Sequence, residues 1–234
     1  MPRRPRRATG QFVFHVLNRA IQDLVLFENA SDYEAFLRIL TESAERIPMR
    51  LLAYAVMPNH WHLVMWPPSD DGLSPFMKSL TARHAQQWRL MKGNRGRGAV
   101  YQGRFKAIAV QHDIHFLRLC RYVERNPLRA KLVARAEDWP WSSASATACS
   151  PNRPTLAPWP LSRPHDWTDQ VNTPEPPHLL KRIRTAIQTG RHLGTDSWRA
   201  TTARQLRWRT GRPETAGLDE RHGARPVWDY PTVL

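Results

Sequence analysis

Two histidines separated by one residue stand in a segment that is predicted to be a β-strand. His60 and His62 lie within the run MPNHWHLV. Alternate side chains of a strand point to opposite faces, so the two imidazoles share one face. The other face then carries the apolar side chains of the same segment, Trp61, Leu63 and Met65. Imidazole is a good ligand for divalent metals, and the pattern predicts either a metal site or two half-exposed histidines on a sheet.

A tyrosine and an asparagine four residues apart form the second candidate group. Tyr122 and Asn126 share one face of a predicted helix, and Arg118 and Arg129 lie near the same line. A phenol among guanidinium groups is suited to attack phosphate, because cations stabilise both the phenolate and the pentacovalent phosphorus. The alternative that the spacing leaves open is a tyrosine at the edge of the core, with its hydroxyl in water.

The segments that carry these residues belong to an alternation of strands and helices. Residue types predict strands at 11–19, 50–56, 60–66 and 100–110. Apolar spacing with capping and stop signals predicts three helices: from the capping box of Ser31 and Glu34 to Pro48, from the cap Ser74 to about Met91, and from about Asp113 to Asn126 before Pro127.

This order, β-α-β-β-α-β-α, predicts an α+β fold of the ferredoxin-like split βαβ type. A four-stranded antiparallel sheet would carry two helices on one face, and the third, C-terminal helix would bear the tyrosine. The same plan underlies RNA-binding sheets, so the fold by itself does not choose an activity.

A change of composition near residue 150 divides the chain. Eight prolines lie between Pro151 and His178, which argues against a regular helix or inner strand there, because proline lacks the backbone donor. We therefore interpret the chain as five parts: a basic arm (1–9), a catalytic domain (10–150), a proline-rich connector packed by Trp159 and Trp167 (151–177), a small helical basic DNA-binding segment (178–213) and a tail (214–234).

The net charge of +15 favours a polyanionic partner, of which nucleic acid is the usual one. Two cysteines exclude a disulfide scaffold and argue against a cysteine-based zinc site, and Cys120 is predicted to be a buried thiol. We expect no transmembrane helix, because no run of about 18 apolar residues occurs. A cytoplasmic location is expected, since the basic N-terminus lacks the apolar run of a signal peptide.

The two chemical motifs together resemble the HUH single-strand endonuclease superfamily. Within it, the chain is similar to the REP-associated tyrosine transposases, solitary relatives of the single-tyrosine insertion-sequence transposases. The matching segments cover roughly residues 10–213 and are Phe14-His15-Val16 with Asn18-Arg19, MPNHWHLV at 57–64, YQGRFK at 101–106, YVERNPLRA at 122–130 and, more weakly, Gly190-Arg191, Gly194, Trp198 and Gly211-Arg212-Pro213. The chain departs from the family at Phe14, where Tyr is usual, and at His192, where Pro is usual.

The resemblance implies a role for each candidate residue. His60 and His62 would hold Mg²⁺ or Mn²⁺, with the amide oxygen of Asn126 as the third ligand, where the related insertion-sequence enzymes use Gln. Tyr122 would be the nucleophile that forms a 5′-phosphotyrosine bond and releases a 3′-hydroxyl. The expected activity is metal-dependent cleavage and rejoining of single-stranded DNA.

The implied substrate is a REP sequence, an imperfect palindromic hairpin with a short single-stranded tetranucleotide beside its foot. Contacts with DNA are predicted for seven basic residues, Arg95, Arg97, Arg104, Lys106, Arg118, Arg129 and Arg212. The solitary relatives suggest a monomer, and a dimer stays open. The rival hypothesis is a hairpin-binding or single-strand-binding protein or repressor that does not cut. RNA-binding sheets display aromatic residues on their exposed face, whereas here His60 and His62 take that place.

Overall fold

A four-stranded antiparallel sheet organises the chain. The computed structural model describes residues 10–22, 24–93, 98–146 and 152–208. The strands pair in the order β2-β3-β1-β4 and are Val13–Arg19 (β1), Arg50–Met57 (β2), His60–Trp66 (β3) and Lys106–Val110 (β4). Helices Ala30–Arg46 (α1) and Leu73–Met91 (α2) connect them as a βαββαβ unit. The predicted α+β, ferredoxin-like plan is therefore confirmed.

Within the described ranges, five further helices follow the last strand. They are Ile114–Glu124 (α3), Asn126–Arg129 (α4), Trp167–Asn172 (α5), Pro177–Thr189 (α6) and Asp196–Trp208 (α7), with a short 3₁₀ turn at Ala136–Asp138. None of the helices in the described ranges is long and apolar enough to cross a membrane.

Both faces of the sheet are covered. Trp61 and Leu63 of β3 pack with α1 and α2 in one buried cluster, as their period-two spacing predicts. The other face packs against α3, whose apolar stripe is fully buried and consists of Phe116, Leu119, Cys120 and Val123. Each such side chain contributes about 1.5–3 kcal/mol when it leaves water. The face that carries His60 and His62 is therefore the face on which α3 packs, and the two histidines are 7% and 2% exposed.

The first two helices begin at other residues than their sequence signals indicate. The cap of α1 is Asn29, whose side-chain oxygen accepts a hydrogen bond from the backbone N–H of Asp32 at 3.2 Å, so the predicted capping box of Ser31 is wrong. Helix α2 begins one residue before Ser74, with Gly72 at its cap. Because asparagine is at least as good an N-cap as serine, α1 can begin two residues before the predicted cap Ser31.

The fourth strand is shorter than predicted, because irregular backbone before Lys106 interrupts it and Tyr101 pairs with Ala20 only as an isolated antiparallel bridge. Tyr101 is buried, and its hydroxyl accepts a hydrogen bond from Trp61 Nε1 at 3.1 Å and lies 2.6 Å from His84 Nδ1. These contacts hold the Tyr101 side chain between β3 and α2, and the regular strand β4 begins at Lys106.

The third helix ends at Glu124, two residues earlier than predicted, but the chain stays helical through Arg129. The backbone N–H groups of Arg129 and Ala130 donate to the carbonyls of Arg125 and Asn126, each at 2.9 Å. Pro127 is the second residue of α4, where its missing N–H has no partner to lose. Tyr122 and Asn126 therefore lie on one continuous helical path, as the four-residue spacing predicts.

The proline-rich connector contains a helix, contrary to prediction. Its prolines flank α5 rather than enter it, since Pro164 precedes the helix and Pro174 follows it. As expected, tryptophans pack this segment: Trp159 Nε1 donates to the carbonyl of Leu52 at 2.8 Å, and Trp167 is buried.

The C-terminal helices attach to the outer edge of β4. The backbone of Leu193 donates to the carbonyl of Ala109 at 2.9 Å and accepts from Gln111 at 2.9 Å, so that it pairs in parallel with Val110. The ring of Trp198 in α7 packs edge-on against Phe12, with centroids 5.8 Å apart.

Candidate active site

Three histidine side chains meet on the α3 face of the sheet. The rings of His60 and His62 have centroids 5.0 Å apart and planes at 85°. His15 of β1 joins them, with Nε2 at 3.0 Å from Nδ1 of His62. His15 was not predicted as a site residue. The available signal was its place in β1, on the same strand face as Leu17 and Arg19.

Burial keeps these imidazoles neutral at neutral pH. It lowers the pKa of His15 to about 3. It also lowers the pKa of His60 to about 3, with a smaller effect from the charge of Arg19. The pKa of His62 falls well below its usual value, first through burial and then through the neighbouring His60, His15 and Arg129. The neutral ring is the form that binds a metal ion.

The hydrogen bonds of His60 and His62 to neighbouring side chains both involve Nδ1. Nδ1 of His60 lies 2.7 Å from the side-chain oxygen of Asn59, an acceptor that requires the proton to be on Nδ1. In His62, Nδ1 faces His15. Nε2 of His62 is buried and has no hydrogen-bond partner among the described residues. With the proton on Nδ1 of both residues, Nε2 carries the lone pair, which is the arrangement that metal ligation needs.

Tyr122 lies directly against the histidines. The apolar stripe of α3 seats that helix on the sheet, and the ring centroid of Tyr122 is then 5.9 Å from that of His62 and 6.3 Å from that of His15. The side chain is 1% exposed, so it is not a tyrosine at the edge of the core. The structure therefore brings the predicted nucleophile and the predicted ligand pair together.

Asn126 and Arg129 complete the cluster. Asn126 is buried, and its Oδ1 accepts a weak hydrogen bond from Arg129 Nη1 at 3.4 Å. The guanidinium of Arg129 lies over the Tyr122 ring, with Cζ at 4.4 Å from the centroid. Its Nη2 also pairs with Glu175 at 3.3 Å. Arg129 was predicted to contact DNA, and here its charge stands beside the candidate nucleophile.

The other arginines of this region differ in placement. Arg121 Nη2 donates to the carbonyl of Thr173 at 2.7 Å. Arg125 Nη1 donates to the carbonyl of Val171 at 2.8 Å, and its Nε pairs with Glu175 at 3.4 Å. Both guanidinium groups therefore hold the connector against α3 rather than facing the phenol. Arg118 is half-buried, one turn before Tyr122.

Sequence reasoning also missed a buried carboxylate that fixes α3 from its other side. Glu124 is fully buried and accepts hydrogen bonds from Ser143 Oγ at 2.6 Å, Trp167 Nε1 at 2.6 Å and Arg163 Nη2 at 3.1 Å. Burial raises the pKa of Glu124, while these donors oppose the shift. A glutamate in a helical segment gives no sign of such a site, because most glutamates are exposed.

The donor set fits a divalent cation. Within the described ranges, no group of three or more His, Cys, Asp and Glu side chains could hold a metal ion. A cation here would therefore use the two imidazoles and an amide oxygen, the set expected from His60, His62 and Asn126. The buried, unpaired Nε2 of His62 is the observation that supports this fit.

The remaining predicted DNA contacts are spread over the surface. Arg104 is exposed in the irregular segment before β4. The ammonium of Lys106 donates to the carbonyl of Ile187 in α6 at 3.1 Å. Arg95, Arg97 and Arg212 lie outside the described residues, as does the basic arm.

Known proteins share both the sequence pattern and the fold. The family model described as "Transposase IS200 like" matches residues 9–126. A curated relative from Haemophilus influenzae, named "Putative REP-associated tyrosine transposase", is 25% identical over 110 residues, which is 44% of this chain and 62% of the relative. The chain thus spans less than two thirds of that relative's length.

A solved structure supports the fold assignment. The structure of a REP-associated tyrosine transposase bound to a REP hairpin matches with a TM-score of 0.51 and 18% identity, over 61% of this chain and 82% of the other. At that identity the likeness concerns the fold. The family model reaches from just before β1 to Asn126 and so includes both histidine-bearing strands and Tyr122. The chain belongs to the IS200-like transposase family.

Proposed function

We propose that this protein is a metal-dependent endonuclease and strand transferase for single-stranded DNA. It acts on REP-type palindromic hairpins through a 5′-phosphotyrosine intermediate. The observation that carries the proposal is the placement of the Tyr122 ring 5.9 Å from that of His62, whose ring lies 5.0 Å from that of His60. Membership of a transposase family and the likeness to proteins named for REP sequences support the substrate class.

The ligand residues define what a cation would do in this site. Nε2 of His60, Nε2 of His62 and Oδ1 of Asn126 would hold Mg²⁺ or Mn²⁺. A cation bound there supplies Lewis-acid activation of the scissile phosphate and fixes its position. The neutral state of the imidazoles, enforced by burial, keeps their lone pairs available at neutral pH.

Tyr122 supplies the covalent step. Its phenol oxygen attacks phosphorus in line, a tyrosine–phosphorus bond forms, and the bond from phosphorus to the 3′-oxygen breaks. The phenol loses its proton and the departing 3′-oxygen gains one. The phosphodiester energy is retained in the new bond, so a second 3′-hydroxyl reverses the step and joins strands. The guanidinium of Arg129, over the ring, stabilises negative charge on the phenol oxygen.

The burial of the cluster bears on the rival hypothesis. An RNA-binding sheet offers an open face to bases, but this sheet is covered by α1 and α2 on one side and by α3 on the other. The structure therefore does not support a protein that binds single strands across an exposed sheet face, as RNA-binding sheets do. A non-cleaving hairpin-binding protein or repressor stays the alternative, and it differs from the proposal in covalent chemistry.

The test is trapping of the covalent adduct. A REP-type hairpin labelled on the 3′ side of the cut is incubated with protein and Mn²⁺, then analysed by denaturing electrophoresis and peptide mapping. Wild type should carry the label on the Tyr122 peptide, and Tyr122→Phe, which removes one oxygen, should bind the hairpin but carry none. His60→Ala and His62→Ala should bind the hairpin and lose cleavage, as should wild type in excess EDTA. Label on another residue, or cleavage by Tyr122→Phe, would overturn the mechanism.

A further inference from the structure

A basic groove lies between α6 and the segment that leads into α7. It encloses about 270 Å³. Six of its lining side chains are cationic or imidazole groups: His178, Lys181, Arg182, Arg191, His192 and Arg199. No carboxylate belongs to its described lining, and the nearby Asp196 is an exposed ion-pair partner of Arg199. Such a concentration of one sign of charge in a concave surface favours an anionic ligand.

The groove is held rigidly by its own basic residues. Arg182 Nη2 donates to the carbonyl of Gly194 at 2.5 Å, which fastens α6 to the following segment. His192 Nδ1 accepts from the backbone N–H of Ala109 at 3.3 Å, which fastens that segment to β4. Two cations remain exposed, Lys181 and Arg191, and neither side chain has a hydrogen bond or ion pair within the described residues.

The groove lies on the same side of the sheet as the candidate active site. Leu193 pairs with β4 as an added edge of the sheet, and α6 packs on the same face that carries the histidines and Tyr122. Counted across the sheet, the order is β3, β1, β4 and then Leu193. Three strand spacings of about 4.8 Å lie between His62 and Leu193 across the sheet, and four residues of β4, Lys106 to Val110, separate them along it at about 3.4 Å each. Together these give a separation on the order of 20 Å between His62 and the groove. That distance is a few nucleotides of a single strand.

We propose that this groove binds the phosphodiester backbone of the duplex stem next to the strand that is cut. The inference rests on the proposed function for its biological substrate. Lys181 and Arg191 contact phosphate oxygens, while Arg182 and His192 keep the groove in shape. A stem anchored here delivers its adjoining single strand toward Tyr122. The contacts are made to the backbone, so they add affinity and orientation without reading the sequence.

The experiment compares two double variants on two DNA probes. Lys181→Ala with Arg191→Ala removes the groove cations. Arg46→Ala with Lys78→Ala removes the same charge from exposed positions of α1 and α2, which cover the other face of the sheet. The probes are a fluorescein-labelled hairpin with a single-stranded foot, and the same foot strand without its stem. Binding is followed by fluorescence anisotropy across a salt titration, and thermal unfolding checks that both variants fold.

On duplex DNA, each phosphate contact contributes about 0.9 to the slope of log affinity against log salt concentration. One such contact therefore raises the affinity roughly eightfold when the salt concentration falls from about 1 M to about 0.1 M. The groove variant should therefore lose about 1.8 from the slope and roughly 60-fold in hairpin affinity. Its affinity for the stemless strand should match that of the control variant. Equal hairpin affinity and slope in the two variants, or an equal loss on the stemless strand, would overturn the proposal. If wild type makes no covalent adduct but the groove effect is present, the enzyme hypothesis fails and the groove stands.

Discussion

His15 should control metal affinity, although it is not itself expected to touch the metal. Its Nε2 lies 3.0 Å from Nδ1 of His62, and both side chains are at most 2% exposed. Replacement by leucine removes the hydrogen-bond partner of His62 Nδ1. The ring then either keeps a buried N–H without a partner, at about 1–3 kcal/mol, or moves its proton to Nε2 and loses the ligand lone pair.

The size of the effect follows from this geometry. Loss of an outer-shell partner of a metal-bound histidine typically lowers metal affinity about 10–100-fold, which equals about 1.4–2.7 kcal/mol. We therefore expect His15→Leu to weaken Mn²⁺ binding within that range. His15→Gln should retain most of the affinity, because its amide oxygen can reach a similar place and accept the same hydrogen bond.

Calorimetric titration with Mn²⁺ measures this directly, and cleavage at limiting and saturating Mn²⁺ gives a second readout. His15→Leu should recover activity as Mn²⁺ increases. The control is His84→Leu, an equally buried histidine that packs with α1 and α2 on the other face; it should lower stability but leave Mn²⁺ affinity unchanged. Wild-type Mn²⁺ affinity in His15→Leu, or the same loss in His84→Leu, would refute the argument.

Two further predictions concern stability. Burial lowers the pKa of His84 from 6.5 to about 3 in the folded protein. Between about pH 6.5 and about pH 3 the unfolded chain therefore binds more protons than the folded one, so the free energy of unfolding decreases as the pH falls. His84→Leu should reduce this slope by up to about 1.4 kcal/mol per pH unit in urea titrations at several pH values, and an unchanged slope would contradict it. Glu124→Ala should cost about 3 kcal/mol in urea unfolding, because it leaves the buried donors of Ser143 and Trp167 without their acceptor, and Glu124→Gln should cost less. Equal losses in the two Glu124 variants would contradict the role of the carboxylate oxygens.

The period-two and period-four patterns predicted much of the site, because they depend on local backbone geometry. His60 and His62 share a face since a strand alternates its side chains. Tyr122 and Asn126 stay on one side, since the chain continues its helical path through Arg125. Such patterns need no knowledge of the rest of the chain, and the structure shows both local geometries, while the roles of these residues stay predictions.

The features that sequence did not predict depend on long-range packing. The apolar stripe of α3 predicts that this helix is buried, but the stripe does not indicate against which face of the sheet the helix packs. An isolated histidine such as His15, between Phe14 and Val16, cannot be distinguished from a satisfied core residue. The hydrogen bonds from Arg121 and Arg125 to the connector join residues about 50 positions apart in the sequence, and no local sequence pattern predicts such contacts.

The rotation of α3 about its own axis is fixed from three directions, and this sets the position of Tyr122. Successive residues of a helix are about 100° apart. Val123 therefore faces the sheet while Glu124 meets Ser143 and Trp167, and Tyr122 faces the histidines. Any turn of the helix that moves the phenol would also break the buried hydrogen bonds of Glu124. Since misplacement of a reacting group by about 1 Å can cost about 10²-fold in rate, we expect that the connector, through Glu124, positions the candidate nucleophile Tyr122.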